Sequence, residues 1–418
     1  MTESESKLRL LVLDSSYCFE AINKLGLERS VICRDLSGFF DHVYSVHPFA
    51  SLVSSKAVSR FGFAEWHIIN TAHTYIDGKV GVFNWPKFFS PLNFIFSQLV
   101  LTIQLIYLVK KKHISAIRAG DPLYLGVLGW VISRVCNIPL VVRVGGNHDK
   151  VYEVTKRPIM PRLFISRGIE KRLERFVLAR AELVSGANND NLQFALDNGA
   201  KPEKSTLFRY GNLIDSAHFL NPSARRMRGI NLIKEEGAEP SKFILYLGRF
   251  EKVKHPDHVV RVLAYLLAHG HDMKVLLCGD GSMRESLRAL SLELGIESKV
   301  LFCGNRNQDW LSKVIPNAAL VVSPHTGRAL TEAALGAAPI VAYDIDWQKE
   351  LIEKGVTGEL VPFMDLNALC AAALRLLNNP LLAQSLGLAA RRRSLEMMSP
   401  DLLDEHERKE YLKLIAYH

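Results

Sequence analysis

Cysteine is sparse in this sequence, and its spacing excludes two classes of protein. The cysteines are scattered along 418 residues, with no CxxC pair and no histidine-rich cluster. A disulfide framework and a cysteine-based metal centre are therefore not expected, and small buried side chains in a reducing compartment are. We accordingly expect a cytoplasmic protein. The six positions are Cys18, Cys33, Cys136, Cys278, Cys303 and Cys370.

Long apolar segments are also scarce. The opening residues MTESESK are polar and acidic, and the apolar run 8–13 is too short for a secretory signal, so none is expected. The most apolar segment, 94–109, is shorter than the roughly 20 residues that a membrane span needs. We expect a buried helix there. The alternative is a lipid-facing helix whose following lysines, 110–112, contact the anionic inner face of a membrane.

The chain has no internal repeat, low-complexity tract or nucleic-acid-binding motif. Its formal charge is +9, and aromatic residues do not alternate with the basic ones. A basic surface suits anionic partners such as nucleotide diphosphates or an acidic membrane face. Nucleic acid is not an expected partner.

The length and the apolar pattern predict two α/β domains. A chain of 418 residues is too long for one core, and 48% of the residues are apolar. Short apolar runs that end in polar or glycine-containing loops are typical of buried parallel strands. Strands are predicted, among others, at 7–14, 30–34, 41–47, 114–119, 139–144 and 243–247.

The segment 320–344 predicts an anion site. It reads as strand, glycine loop, helix over 328–335, and strand, with Gly327 in the loop. Free N–H groups and the helix dipole favour a phosphate at such a helix start. Glu332 lies one turn into the helix, where a carboxylate can accept hydrogen bonds from ribose hydroxyls. The alternative is a solvent-facing glutamate that merely favours the dipole.

A second pair of candidate residues follows the strand 243–247. Arg249 and Lys254 lie on one strand-end loop, where a guanidinium fork and an ammonium group can clamp a diphosphate. The alternative is two solvated side chains.

Four segments resemble retaining glycosyltransferases of family four, within the glycosyl transferases group 1, which have the GT-B fold. TGRALTEAALGAAPIVAYD at 326–344, followed by ELIEKGVTGELV, resembles the family's signature. ILYLGRFEKVK at 244–254 resembles its GR-x4-K loop, and VLLCGDGSMRESL at 275–287 its GDG turn. GNLIDSAHF at 211–219 resembles the element that closes the first domain. The resemblance runs from about residue 174 to 380.

The resemblance implies two Rossmann-like, doubly wound parallel-sheet domains that face each other across a cleft. The acceptor-side domain would span 1–221, a linker 222–241, and the nucleotide-sugar domain 242–400. The terminal helix, 401–418, is expected to pack back on the first domain.

The resemblance also implies the site. The nucleotide diphosphate would meet Arg249, Lys254 and the loop N–H groups, and Glu332 would hold the ribose. His148, in GGNHD at 145–149, is the catalytic candidate near the donor sugar; the alternative is a loop histidine with only local hydrogen bonds. Asn305 would lie near the base. The expected donor-binding residues are Arg249, Lys254, Asn305, Gly327, Arg328, Ala329, Leu330 and Glu332.

Two departures from the family pattern concern the sugar and the acceptor. Pro324 stands where the family has the first of two glutamates, and 15–19 replaces a glycine-rich loop. The expected function is still transfer of a hexose-type sugar from a nucleotide-diphosphate sugar, with retention, to a glycan or lipid-linked acceptor. No metal cofactor is expected. The alternatives are a non-catalytic nucleotide-sugar-binding subunit and a GT-B sugar-nucleotide epimerase.

Overall fold

A computed structural model describes residues 7–54 and 59–417, and it contains two compact units. The first comprises Met1–Arg209 and Pro400–His418, and the second Tyr210–Ser399. The polar segment 1–6, where no secretory signal is expected, lies outside the described residues. So does the last residue of the predicted helix 401–418.

The first unit is built on an eight-stranded sheet with the order β3-β4-β2-β1-β5-β6-β7-β8. Every neighbouring pair is parallel except β3–β4, which is antiparallel. The strands are β1 (Arg9–Leu13), β2 (His42–His47), β3 (Glu65–Asn70), β4 (His73–Asp77), β5 (Ala116–Ala119), β6 (Leu140–Val144), β7 (Leu183–Gly186) and β8 (Ser205–Leu207). The helices are α1 (Phe19–Leu25), α2 (Arg29–Ile32), α3 (Ser90–Lys112), α4 (Tyr124–Cys136), α5 (His148–Thr155), α6 (Arg167–Leu178) and α7 (Asn189–Asp197).

The second unit is built on a six-stranded, all-parallel sheet with the order β11-β10-β9-β12-β13-β14. The strands are β9 (Phe243–Leu247), β10 (Lys274–Cys278), β11 (Val300–Gly304), β12 (Leu320–Ser323), β13 (Ile340–Asp344) and β14 (Glu359–Pro362). The helices are α8 (Pro222–Glu235), α9 (Pro256–Ala268), α10 (Arg284–Glu293), α11 (Gln308–Val314), α12 (Arg328–Leu335), α13 (Gln348–Leu351), α14 (Leu366–Leu377) and α15 (Pro380–Met398).

The continuous apolar runs form strands that are buried on both faces, as parallel sheets require. In β9, Leu245 and Leu247 enter the core on one face of the second sheet, while Ile244 and Tyr246 enter the core on the other. The predicted strand–loop–helix–strand of 320–344 is confirmed as β12, α12 and β13.

Two sequence-based expectations about organisation are corrected. The segment 30–34 is not a strand; it lies mainly in α2, whose Val31 is buried against α1 and β4. The predicted linker 222–241 is largely α8, which belongs to the second unit: its Ile233 is fully buried in that unit's core. The division falls after Arg209, rather than at 221, because the following residues, including Ile214, also join the second core.

The last helix, α16 (Pro400–Ala416), lies on the first unit. Tyr411 is fully buried, with its ring 5.1 Å from that of Phe40. Arg118 of β5 donates to Glu407 at 3.1 Å, and both side chains are nearly excluded from solvent. Aromatic packing and a buried ion pair thus hold the helix in place.

Each sheet has a point where the strand order reverses. In the second sheet it lies between β9 and β12, and in the first between β1 and β5. Open α/β sheets bind ligands beyond the carboxyl ends of the strands at this point. A ligand-binding site is therefore expected in the loops that follow these strands.

Candidate functional site

The loops after β9 and β12 lie side by side in the second unit because the two strands pair directly, Leu320 with Ile244 and Val321 with Leu245. Arg249 and Lys254 follow β9, and Gly327 follows β12. The fold thus brings together most of the predicted donor-binding residues.

The backbone at Arg249 is supported by the turn after β10. Phe250 N–H donates to Asp280 O at 2.9 Å, and Gly248 N–H donates to Cys278 O at 3.0 Å. A Cβ on Gly279, whose φ is +145°, would lie 1.9 Å from Gly248 O. The glycine is needed for this close approach, so the GDG turn positions the Arg249 loop.

Lys254 and Arg249 form a pair of like charges. Burial lowers the pKa of Lys254, the positive charge of Arg249 lowers it further, and Asp346 partly offsets both effects. Arg249 is exposed, whereas Lys254 is partly buried. Two cations that repel each other at a strand end are stabilised by an anion between them, so the loop is suited to a diphosphate.

Gly327, the residue before α12, has a left-handed backbone angle, φ +65°, which other residues rarely adopt. The first N–H groups of a helix have no partner inside it, so those of Arg328 and Ala329 can donate to a ligand. The predicted contribution of Leu330 needs correction, because its N–H donates to Gly327 O at 3.0 Å.

A histidine connects the two loops. The Nδ1–H of His325 donates to Val253 O, the carbonyl before Lys254, at 3.0 Å. Its Nε2 atom lies 3.7 Å from Asp346 Oδ2. His325 follows Pro324, the residue that replaces the family's first glutamate, and it ties the cationic turn to the glycine loop.

Gln348 organises the glycine loop, and it was missed in the sequence analysis. This fully buried side chain donates from Nε2 to the carbonyls of Ser323 and Pro324. Its Oε1 accepts from the Ser323 hydroxyl at 3.1 Å and from Thr326 N–H at 3.3 Å. One amide therefore fixes the backbone that precedes Gly327.

Glu332 does not face solvent, which overturns the alternative of an exposed first-turn glutamate. Only 3% of the residue is exposed, and Oε1 lies 3.3 Å from Nε of Arg328, one helical turn earlier. The carboxylate also acts on His218: burial lowers the pKa of this histidine, and Glu332 opposes the shift. Asn305 is more remote: it is exposed and follows β11, which is separated from β9 by β10.

His148 occupies the carboxyl side of the first sheet. It begins α5, so it lies on a helix rather than in the loop that was expected. Its Nδ1 atom lies 2.7 Å from Oε1 of Glu174, and the guanidinium of Arg167 holds both oxygens of that carboxylate at 2.7 Å. A histidine with one nitrogen fixed in this way presents the other nitrogen in a defined direction.

Asp121 is a second unpredicted residue, in the loop after β5. Burial raises the pKa of its carboxyl to about 6, although a hydrogen bond from Leu123 N–H and the charge of His148 lower it. Carboxyls with raised pKa values cluster at functional sites. Together, Asp121 and His148 mark the carboxyl edge of the first sheet.

This geometry, a loop with two cations beside a glycine loop at the switch point of a doubly wound sheet, is typical of nucleotide-binding α/β proteins. Residues 230–393 match the family described as Glycosyl transferases group 1. Residues 230–393 therefore form a domain of the glycosyl transferases group 1, in agreement with the three motifs that lie within this range.

Similar proteins support the fold over nearly the whole chain. Sucrose-phosphate synthase from Thermosynechococcus elongatus superposes with a TM-score of 0.73 at 18% identity, covering 98% of this chain and 100% of that one. Anabaena Alr3699/HepE, in complex with UDP and glucose, superposes with a TM-score of 0.68 at 16% identity, covering 97% and 100%. The chain thus has the GT-B fold.

In sequence, an alpha-D-kanosaminyltransferase from Streptomyces kanamyceticus is 26% identical over 256 residues, which cover 60% of this chain and 64% of that protein. The chain spans between about one third and just under two thirds of the length of the first curated relatives that it matches.

Proposed function

We propose that this protein is a retaining glycosyltransferase that moves a hexose-type sugar from a nucleotide-diphosphate sugar to a glycan or lipid-linked acceptor. The observation that supports this most is the convergence of Arg249, Lys254 and the start of α12 at one switch point. The family of the domain and the sugar-transferring relative support the reaction class.

The second unit would stabilise the leaving diphosphate. Negative charge builds on this group as the glycosidic bond stretches, and charges that are already positioned lower the barrier most. Arg249, Lys254 and the N–H groups of Arg328 and Ala329 would meet it, and Glu332 would accept from the ribose hydroxyls. Because two cations already serve the diphosphate, we propose that the transfer requires no metal.

His148 is the proposed catalytic residue of the first unit. With Nδ1 held by Glu174, its Nε2 is free to bind a sugar or acceptor hydroxyl. The buried pair of Glu174 and Arg167 would keep the ring oriented during turnover.

We also propose that the protein acts at the anionic inner face of a membrane, through α3. This is the one helix in the described part of the chain that is long and apolar enough to cross a membrane. However, its Leu105 and Val109 lie in the core of the first unit, so the helix is fixed on one side.

The other side of α3 is an exposed apolar stripe. The polar side chains Asn93, Ser97 and Gln98 point inward, where they form hydrogen bonds with the backbone of Val82, Lys79 and Pro48, respectively. The apolar residues recur every three or four positions along about 22 Å of helix, facing outward. A helix with buried polar and exposed apolar residues suits an interface better than water. The stripe comprises Leu92, Ile95, Leu99, Ile103 and Tyr107, and Lys110–Lys112 follow it.

Thermal unfolding with UDP, GDP and ADP tests the donor site. A ligand at one hundred times its dissociation constant adds about 2.7 kcal/mol of stability, enough to raise the midpoint by several degrees. One nucleotide should stabilise the wild type, and Lys254→Ala and Glu332→Gln should abolish the shift. Lys252→Ala, an exposed lysine in the same turn, is the matched control.

Donor consumption then tests the reaction class. Turnover only with an added acceptor indicates transfer, turnover without one indicates epimerisation or hydrolysis, and binding without turnover indicates a non-catalytic subunit. If no nucleotide shifts the unfolding midpoint, the donor-site assignment is wrong.

A further inference from the structure

A cluster of potential metal ligands lies at the start of α9. In the described ranges, 7–54 and 59–417, His255, Asp257 and His258 form the one group of three such side chains whose ligand atoms all lie within 4.8 Å of one another. We propose that these three residues bind a divalent transition-metal ion of the zinc class. No role in the sugar transfer described above is assigned to them.

The three ligand atoms lie within 4.8 Å of one another and must draw together to bind an ion. Zinc bonds of about 2.0–2.1 Å place tetrahedral ligand atoms about 3.4 Å apart. Asp257 Oδ2 lies 3.9 Å from His258 Nε2, so these two atoms must approach by about half an ångström, which a small side-chain rotation can supply. The rings of His255 and His258 are already close, with centroids 5.2 Å apart.

A buried hydroxyl orients one of the ligands. His258 Nδ1 lies 2.8 Å from the hydroxyl oxygen of Tyr343, a residue with no solvent exposure. When Nδ1–H donates to this oxygen, the lone pair of Nε2 is free on the side where Asp257 lies. Metal-bound histidines characteristically donate their other N–H to such a partner.

The backbone of His255 is unusual. Its φ of +49° is in the left-handed region, which is uncommon for residues other than glycine and is concentrated at functional sites. His255 links the short helical turn of Lys252–Lys254 to α9, and this conformation brings its ring next to that of His258.

The ligand set selects the class of ion. Two imidazole nitrogens and one carboxylate oxygen suit Zn²⁺, Co²⁺, Ni²⁺ or Cu²⁺, whereas Mg²⁺ and Ca²⁺ prefer oxygen ligands throughout. Three protein ligands leave a fourth position open for water or another ligand.

Positive charge near the three ligands opposes the binding of a cation. The start of a helix is positive, and Arg261 and Lys254 act on His258 and His255, respectively. The Asp257 carboxylate offsets part of this positive charge, and the bonds from the ligand atoms to the ion must outweigh the repulsion that remains. Cations that bond weakly to imidazole nitrogen are therefore not expected to bind.

Metal uptake by the full-length protein tests the site. Protein freed of metal with a chelator is titrated with Zn²⁺ in a calorimeter and with Co²⁺ by visible absorption. The wild type should take up one ion per chain and give Co²⁺ bands of low-coordinate geometry. Mg²⁺ should give no stoichiometric uptake. Absence of stoichiometric Zn²⁺ and Co²⁺ uptake would overturn the proposal.

Variants show whether the ion binds at this site or at other histidines of the chain. Asp257→Asn and His258→Ala should each weaken binding more than loss of an outer partner does, that is, by more than about 100-fold. Tyr343→Phe keeps all ligands and should weaken binding by about 10- to 100-fold. His269→Ala, an exposed histidine at the other end of α9, is the control and should bind as the wild type does.

Unfolding of each variant without metal shows that it is folded. Asp257 is partly exposed, so Asp257→Asn tests the proposal even if His258→Ala does not fold. Wild-type affinity in Asp257→Asn would show that the ion binds elsewhere, and wild-type affinity in Tyr343→Phe would remove the role given to that hydroxyl.

Discussion

Nδ1 of His148 lies 2.7 Å from Oε1 of Glu174, a carboxylate with no solvent exposure. The same carboxylate is held by two nitrogens of Arg167, whose side chain is also nearly buried. The candidate catalytic histidine is therefore oriented by a buried ion pair that no motif in the sequence revealed.

Replacing Glu174 with glutamine should lower both stability and turnover. The change removes the carboxylate that two nitrogens of Arg167 hold, but Asp149 and Glu170 stay 2.9 and 3.3 Å from the guanidinium. The loss of stability should therefore be smaller than the roughly 3 kcal/mol of a fully broken buried pair. Urea unfolding measures this loss. Because the ring of His148 is less well held, kcat should fall by about tenfold or more while KM for the donor changes less.

The exposed Glu203→Gln in the same unit is the control, and it should change neither quantity. Unchanged stability in Glu174→Gln would show that the ion pair contributes little. Lost stability with unchanged kcat would show that Glu174 does not position the histidine.

Gln348→Ala should disorder the loop before Gly327. The change leaves the carbonyls of Ser323 and Pro324 without their amide partner, and a buried unsatisfied polar group costs about 1–3 kcal/mol. We expect a lower unfolding midpoint and about tenfold weaker nucleotide binding, measured by calorimetry. Gln384→Ala, an exposed glutamine on α15, is the matched control. Wild-type nucleotide affinity in Gln348→Ala would contradict the role of the clamp.

Local signals predicted the strand–loop–helix–strand at 320–344, because β-branched residues, glycine and proline act over a few positions. The Gln348 clamp is different. It lies 25 positions from Ser323, and only the pairing of β12 with β13 brings them together. The His148–Glu174 contact likewise joins residues 26 positions apart, which only the folded chain brings together.

Edge structure was also hard to predict. The aromatic, irregular segment 48–91 contains the antiparallel pair β3–β4 at the rim of the first sheet. Most side chains of β3 are exposed or half-exposed, so it lacks the apolar run that reveals a central strand. At 30–34, an apolar run of three residues is too short to distinguish a strand from one helical turn.

Asp121→Asn should make the protein more stable at alkaline pH but not at acid pH. The folded pKa of about 6 is above the ordinary value of 3.8, so the folded state holds more protons between these two pH values. Stability therefore falls as pH rises from about 4 to 6, and the loss is complete above that range. Asparagine has no charge to bury and can still accept from Leu123 N–H.

The gain should be about 1–3 kcal/mol near pH 8 and should vanish near pH 3.5, as measured by denaturant unfolding across this range. The exposed Asp41→Asn is the control. A gain that is independent of pH would contradict the explanation, because it would come from packing rather than from the charge.

Charges on the α3 stripe should prevent membrane binding. Leu99→Glu combined with Ile103→Glu places two carboxylates on its exposed centre, where 56% and 66% of these residues are exposed in water. Each large apolar side chain contributes about 1.5–3 kcal/mol when it enters an apolar phase. Co-sedimentation with vesicles containing anionic lipid should therefore fall at least about tenfold. Leu292→Glu, in an equally exposed position of the second unit, should bind as the wild type does.

The lysines at the end of α3 allow the electrostatic contribution to membrane binding to be separated from the apolar contribution. Replacing Lys110, Lys111 and Lys112 with alanine removes about 1 kcal/mol of attraction per residue for anionic lipid, and leaves the apolar stripe unchanged. Binding to anionic vesicles should weaken and lose its dependence on salt, while the weaker binding to neutral vesicles stays the same. If both vesicle types bind the wild type equally, the stripe faces an uncharged partner and the assignment to the inner membrane face is wrong.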